Sequence, residues 1–127
     1  MYQIDFYEDK DGYSEIEEYL IEIGSSNQKN DQQIYKKIIY QLNLLELLGN
    51  KMTEPQTKFL KGYRYPLMEL RPQPERIFYA SWAKNRYVLL HHYTKKQNKT
   101  DVEEINKALN KLEDWLARKE DGYDNLE

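Results

Sequence analysis

The chain contains no cysteine, which excludes disulfides, a thiol nucleophile and a thiolate metal site. Histidine is scarce too: with only two, a zinc centre would need carboxylates, and the spacing of Asp and Glu offers no such set. No apolar run comes near the roughly 20 residues that cross a bilayer. The N-terminal MYQIDFYEDK lacks both the basic and the apolar region of a secretory signal. These absences predict a cytoplasmic protein with no membrane partner, no metal and no cofactor. Repeats and low-complexity tracts are missing as well, and 127 residues with 39% apolar content suit one domain over residues 1–127 with one modest core.

What the chain does have is charge, unevenly placed. Between Lys58 and Lys99 lie ten Lys/Arg and two Asp/Glu, net +8, whereas the remainder carries nine basic and twenty acidic residues, net −11. The overall charge of −3 would argue against a polyanion partner if it were spread evenly. Fields between exposed charges decay over roughly 8 Å at physiological salt, so the segment matters more than the total.

Periodicity predicts an α+β fold. Tyr2, Ile4 and Phe6 alternate with Gln3, Asp5 and Tyr7, the period of a half-buried strand. Ile16, Tyr19, Leu20 and Ile23 recur at helical spacing before Gly24, and Ile34, Ile38, Leu42, Leu45 and Leu48 do so before Gly49, which together read as an αα-hairpin. Beyond Gly49, prolines and glycines bracket short segments. Strands are expected at about 66–71, 76–82 and 86–93, joined by Pro72-Gln73-Pro74 and Ala83-Lys84-Asn85 into an antiparallel meander. Thr100-Asp101-Val102-Glu103 matches a capping box, and Val102, Ile105, Leu109, Leu112 and Leu116 predict a helix to about Lys119 followed by a frayed polar tail, 120–127.

Three constellations could carry chemistry. A hairpin would bring Arg71, at the end of one strand, beside Arg76, at the start of the next. Two guanidiniums repel unless an anion, or a carboxylate such as Glu69 or Glu75, lies between them. They are either paired with those glutamates at a solvated edge or form a fork for a phosphate. The second is His91-His92-Tyr93-Thr94-Lys95-Lys96, after the apolar run Val88-Leu89-Leu90; alternation puts His91, Tyr93 and Lys95 on one side and His92 and Thr94 on the other. One histidine at most can face a groove, and either can equally be a buried, hydrogen-bonded core residue. The third, Lys58-Phe59-Leu60-Lys61-Gly62-Tyr63-Arg64-Tyr65, interleaves cations with rings, as single-stranded nucleic acid requires; it also reads as a loop docked on the core. If the helices cover one face of the sheet, the other presents Arg71, Arg76 and Lys95 as a concave cationic site.

These residues resemble the RelE/HigB-like, phage-derived toxins of bacterial toxin–antitoxin pairs. The resemblance runs over about 58–110 and rests on Lys58-x-Leu60, Leu67-Met68-Glu69-Leu70-Arg71, Arg76-x-x-Tyr79, Leu89-Leu90-His91-His92-Tyr93-Thr94-Lys95-Lys96 and a following helix with Ala108. It implies a small α+β endoribonuclease, an mRNA interferase that cuts messenger RNA on the translating ribosome. A cognate antitoxin, commonly a helix-turn-helix protein, would silence it. It further implies metal-free attack of a 2′-hydroxyl on the adjacent phosphate. In this likeness Arg71 and Arg76 grip the phosphate, Lys95 and Lys96 stabilise charge or move a proton, and His91 and Tyr93 stack on a base or transfer a proton. Lys58, Lys61, Arg64 and Lys99 would hold flanking RNA. The rival reading is a binding module whose basic face holds an acidic partner without catalysis.

Overall fold

The computed structural model describes residues 1–96 and 101–126, with the side chains of the last helix described as far as Lys119. The expected RNA contact Lys99 and the capping-box Thr100 lie outside the described residues. In chain order the elements are β1 (Gln3–Phe6), α1 (Glu15–Gly24), α2 (Lys29–Leu48), a 3-10 turn (Gly49–Lys51), β2 (Thr57–Leu60), β3 (Leu67–Leu70), β4 (Glu75–Ala83), β5 (Arg86–Thr94) and α3 (Val102–Leu126). They build an α+β fold: one five-stranded sheet of order β1-β5-β4-β3-β2 and three helices.

The expected αα-hairpin is present. Ser14 caps α1 by accepting a hydrogen bond from the Glu17 amide at 3.2 Å, and Glu15, Glu17 and Glu18 complement the positive end of the helix dipole. Helix α2 begins at Lys29, earlier than its apolar stripe, and α3 runs on to Leu126, through the segment read as a frayed tail.

Three features differ from the sequence expectation. The 58–65 stretch is not wholly a loop, since Thr57–Leu60 pair antiparallel with Leu67–Leu70 as an edge strand. Strand β2 extends the expected three-strand antiparallel meander to four, and β1, whose pairing the sequence left open, joins the sheet parallel to β5. It is pinned there by Asp5, whose carboxylate accepts from both Arg86 Nε and Nη2 at 3.1 and 2.9 Å and from Trp82 Nε1 at 2.9 Å. Burial pushes that carboxyl up, but Arg86 and Trp82 outweigh it and hold it below the usual range.

The third difference decides where a site can lie: helices cover both faces of the sheet, not one. Leu70, Ile77, Tyr79, Tyr87 and Leu89 pack with Ile16, Ile34, Ile38 and Leu45 of the hairpin. Leu67, Phe78, Ala80, Val88 and Leu90 pack with Ile105, Ala108, Leu109, Leu112 and Trp115 of α3. The uninterrupted apolar runs Ile77-Phe78-Tyr79-Ala80 and Tyr87-Val88-Leu89-Leu90 are the signature of strands buried on both sides. No helix among the described residues is long and apolar enough to cross a membrane.

A bulge shifts the phase of β5. Phe78 pairs with His91 and Tyr79 with Leu89, which leaves Leu90 without a partner across the ladder. Leu90 and His91 therefore both face α3, while His92 turns to α1. Strict alternation from Tyr87 would have sent each imidazole to the opposite side.

Candidate active site at one end of the sheet

The end of β3, the start of β4 and the end of β5 meet at one edge of the sheet. Arg71 follows β3, Arg76 lies in β4 opposite Tyr93, and the Lys95 amide donates to the Pro74 carbonyl at 2.9 Å. The three stretches that carry the candidate cations are thus brought together, with Lys96 following in the next position. Lys58 joins them across the ladder, in register with Glu69 on β3.

Glu69 organises the cluster on the α3 face. It is buried at 6% exposure, accepts from Arg71 Nε at 3.0 Å and Tyr93 Oη at 3.4 Å, and lies 3.8 Å from Arg76 Nε. Of the two arrangements open from sequence, the carboxylate between the guanidiniums is the one present. It does not exhaust them. Two cations around one anion leave one excess positive charge, and among the described residues the Nη donors of Arg71 have no protein acceptor. Arg76 is more tightly held: it is 8% exposed, and its Nη1 donates to Gln73 Oε1 at 2.9 Å and to the Glu75 carbonyl at 3.1 Å.

Helix α2 sets the position of Arg71 from behind. The side-chain oxygen of Gln41, itself 9% exposed, accepts from the Arg71 amide at 3.1 Å, and Lys37 Nζ donates to the Gln73 carbonyl at 3.1 Å. Neither residue was among the sequence candidates. A glutamine within the apolar stripe Ile34, Ile38, Leu42, Leu45 was the available signal, because a polar group at a core position needs a partner.

Tyr93 stacks on Phe78 with ring centroids 5.5 Å apart and closes the cluster beside α3. Burial first, then the Glu69 and Asp101 carboxylates, push its phenol well above the ordinary value despite Arg76; at neutral pH it is a hydrogen-bond donor. A cleft of about 350 Å³ opens next to it, lined by Tyr93, Thr94, Lys96, Asp101 and Glu104.

His91 sits deeper. It is 6% exposed, with Nε2 bonded to Glu104 on α3 and Nδ1 3.5 Å from Lys111 Nζ. The Glu104 carboxylate at Nε2 accepts from a proton-bearing nitrogen there, and the Lys111 ammonium beside Nδ1 favours the neutral ring. Burial is the main cause of its depressed pKa, and the Lys111 charge adds to it against the pull of Glu104. His92 lies on the other face, stacked on Tyr19 at 4.1 Å and 3.4 Å from Glu75.

The remaining candidates are more dispersed. Lys61 is exposed in the loop after β2. Arg64 leans across to α3, where Asn110 and Glu113 accept from its Nη2 at 2.8 and 3.1 Å. The expected open concave face is corrected accordingly: α3 lies over it and Arg76 is buried, while Arg71 stays partly exposed and Lys96 lines the cleft beside α3.

Sheet, helices and cation–carboxylate–phenol cluster together define a small α+β protein with two arginines and a phenol gathered around a buried carboxylate at one end of the sheet. Residues 28–113 match the family of phage-derived Gp49-like proteins (DUF891), more than half of the chain, and the protein belongs to that family. The matched stretch holds Arg71, Arg76, Tyr93, Lys95 and Lys96 and begins at the N-cap of α2, leaving out β1 and α1. The family is associated with RelE-type toxins. No curated protein matches the chain.

Proposed function

We propose that the protein is an endoribonuclease toxin that cleaves messenger RNA on the translating ribosome and is neutralised by a cognate antitoxin of the helix-turn-helix kind. The observation that carries this reading is the pair of guanidiniums held around Glu69 beside a protonated phenol. A docking surface for an acidic protein needs positive charge but not two arginines registered against each other by a buried carboxylate.

In the reaction an RNA 2′-oxygen attacks the neighbouring phosphorus while the bond to the 5′-oxygen breaks, leaving a 2′,3′-cyclic phosphate and a 5′-hydroxyl. The 2′-hydroxyl proton passes to water, one is delivered to the 5′-oxygen, and the donor recovers its proton from solvent. Arg71 offers its Nη donors to the non-bridging oxygens, with Arg76 fixed behind it as a second charge. Tyr93 supplies a hydrogen bond or the proton for the leaving oxygen. Lys95 and Lys96 stabilise charge on the phosphoryl group, and Lys58 and Lys61 hold flanking phosphates. His91, with both ring nitrogens engaged by protein groups, serves as the wall behind Tyr93.

The test adds the purified protein to ribosomes translating a defined message and maps the new 5′ ends and their chemistry. Cuts ending in 5′-hydroxyls are expected, and Arg71→Ala should reduce their rate by about 100-fold or more while the circular dichroism spectrum is retained. Absence of cuts in both free and translating RNA would overturn the reading, and with intact binding of an acidic partner would favour the rival module.

A further inference from the structure

A second concave site lies on the α1/α2 face of the sheet, toward the turn between β4 and β5, away from Arg71 and Arg76. It is a cavity of about 280 Å³ with Tyr2, Phe59, Ser81, Lys84, Asn85 and Tyr87 among its lining residues. That volume is close to the lower bound of small-molecule clefts, roughly 300 Å³, and suits a ring with little else.

Its walls are aromatic and held in place. The rings of Tyr2 and Tyr87 lie 5.7 Å apart, and Tyr2 donates to Asn50 Oδ1 at 3.2 Å. Gly49 has φ +52°, and a Cβ there would stand 2.2 Å from the Tyr2 ring, so the chain keeps a bare backbone where that ring rests. Phe59, on the edge strand, is 49% exposed, an unusual position for a phenylalanine that only packs.

Part of its polar lining is uncommitted. Tyr87 is 6% exposed, and its hydroxyl, which reaches the cavity solvent, has no protein hydrogen-bond partner among the described residues. Lys84 and Asn85 form the hairpin tip, with Asn85 in the left-handed region at φ +58°. Among the described residues Lys84 forms no ion pair, and none of the lining residues is a carboxylate. An apolar peptide would leave the ammonium and the phenol without partners. A planar ring stacked on Tyr2 or Phe59, with its polar edge toward Tyr87, Ser81 or Asn85 and an anionic group toward Lys84, would use all of them.

We infer that this cavity binds a nucleotide, either free or as one residue of an RNA strand. The site is separate from the proposed cleavage centre and stands or falls without it.

The full chain is titrated with AMP, GMP, CMP and UMP, with adenosine and ribose 5-phosphate as partial ligands, by calorimetry and tyrosine fluorescence. At least one mononucleotide should bind once per chain, and Phe59→Ala and Lys84→Ala should each weaken it by about tenfold. Arg71→Ala should leave it unchanged, which keeps this outcome distinct from any failure of cleavage. In the Arg71→Ala background a short RNA oligomer that binds more tightly than the mononucleotide, and loses that advantage with Phe59→Ala, identifies the strand as the source. Binding of the mononucleotide alone identifies the free one. The inference is overturned if no mononucleotide binds at millimolar concentration, if binding ignores both substitutions, or if only an aromatic peptide binds.

Discussion

At the same end of the sheet two glutamates are buried on opposite faces, and their surroundings differ in kind. Glu69, facing α3, is ringed by Arg71, Arg76 and Tyr93. Glu75, facing α1 and 3% exposed, meets His92 and Thr94, with Tyr19 stacked over the imidazole. Burial raises the Glu75 carboxyl, but His92, Thr94 and Tyr19 hold it below the usual range all the same. One carboxylate balances surplus cations at an accessible margin; the other is shared among Thr94, Tyr19 and His92 inside a closed contact. The first arrangement can exchange part of its partnership for a phosphate, whereas the second has nothing to offer a ligand.

That contrast can be broken first at Glu75. Glu75→Leu leaves the Thr94 hydroxyl, the Tyr19 phenol and His92 without their acceptor, and it should destabilise the fold by about 3 kcal/mol in urea denaturation. RNA affinity of the folded fraction should not change. Glu69→Gln should act the other way round: RNA binding tightens and the slope of log affinity against log salt steepens by about one charge. Cleavage should nevertheless slow by about tenfold, because the guanidiniums lose the anion that registers them. A variant that binds tighter and cuts as fast as the parent would deny Glu69 that role.

Acid should sharpen the comparison through two separate windows. His91 is depressed below its ordinary 6.5, so the unfolded chain takes up its proton first. Its contribution is present above pH 6.5 and declines as pH falls from there. Glu75 and Glu104 are depressed below 4.5, so their contributions begin to fade only near that pH and are lost as it falls through the folded values. Urea midpoints from pH 7.5 to 3.5 should therefore fall in two stages, and Glu75→Gln should remove part of the lower one alone. The smallest effect is expected at Arg64, whose ion pair with Glu113 is about half exposed on both sides. Arg64→Ala should alter stability by no more than about 0.5 kcal/mol.

Much of the architecture was legible because it is written in local patterns. The stripe from Ile105 to Leu112 marks α3, the spacing of Ile16, Tyr19, Leu20 and Ile23 before Gly24 marks α1, and the turns 72–74 and 83–85 mark the hairpins that bring Arg71 to Arg76. What escaped depends on distant partners. Strand β2 has four residues at a sheet edge, too few for a period to show, and the parallel pairing of β1 rests on Asp5 finding Arg86 from 81 positions away. The covering of both faces was available in the unbroken apolar runs of β4 and β5 but lost to an expectation of alternation. The cluster itself was visible as cations in sequence; its organising carboxylate needed the fold to choose between two open arrangements, and Gln41 needed a neighbour thirty residues away.

The unpaired Leu90 makes strand length a tighter constraint than strand composition. Deleting the paired residue beside it, His91, with the bulge kept, would turn every later side chain of the strand over, carrying His92 under the C-terminal helix and Tyr93 away from the arginines. Chemically mild replacements nearby should be tolerated more readily than any change in spacing, so the chain can drift in its letters here while its count stays locked.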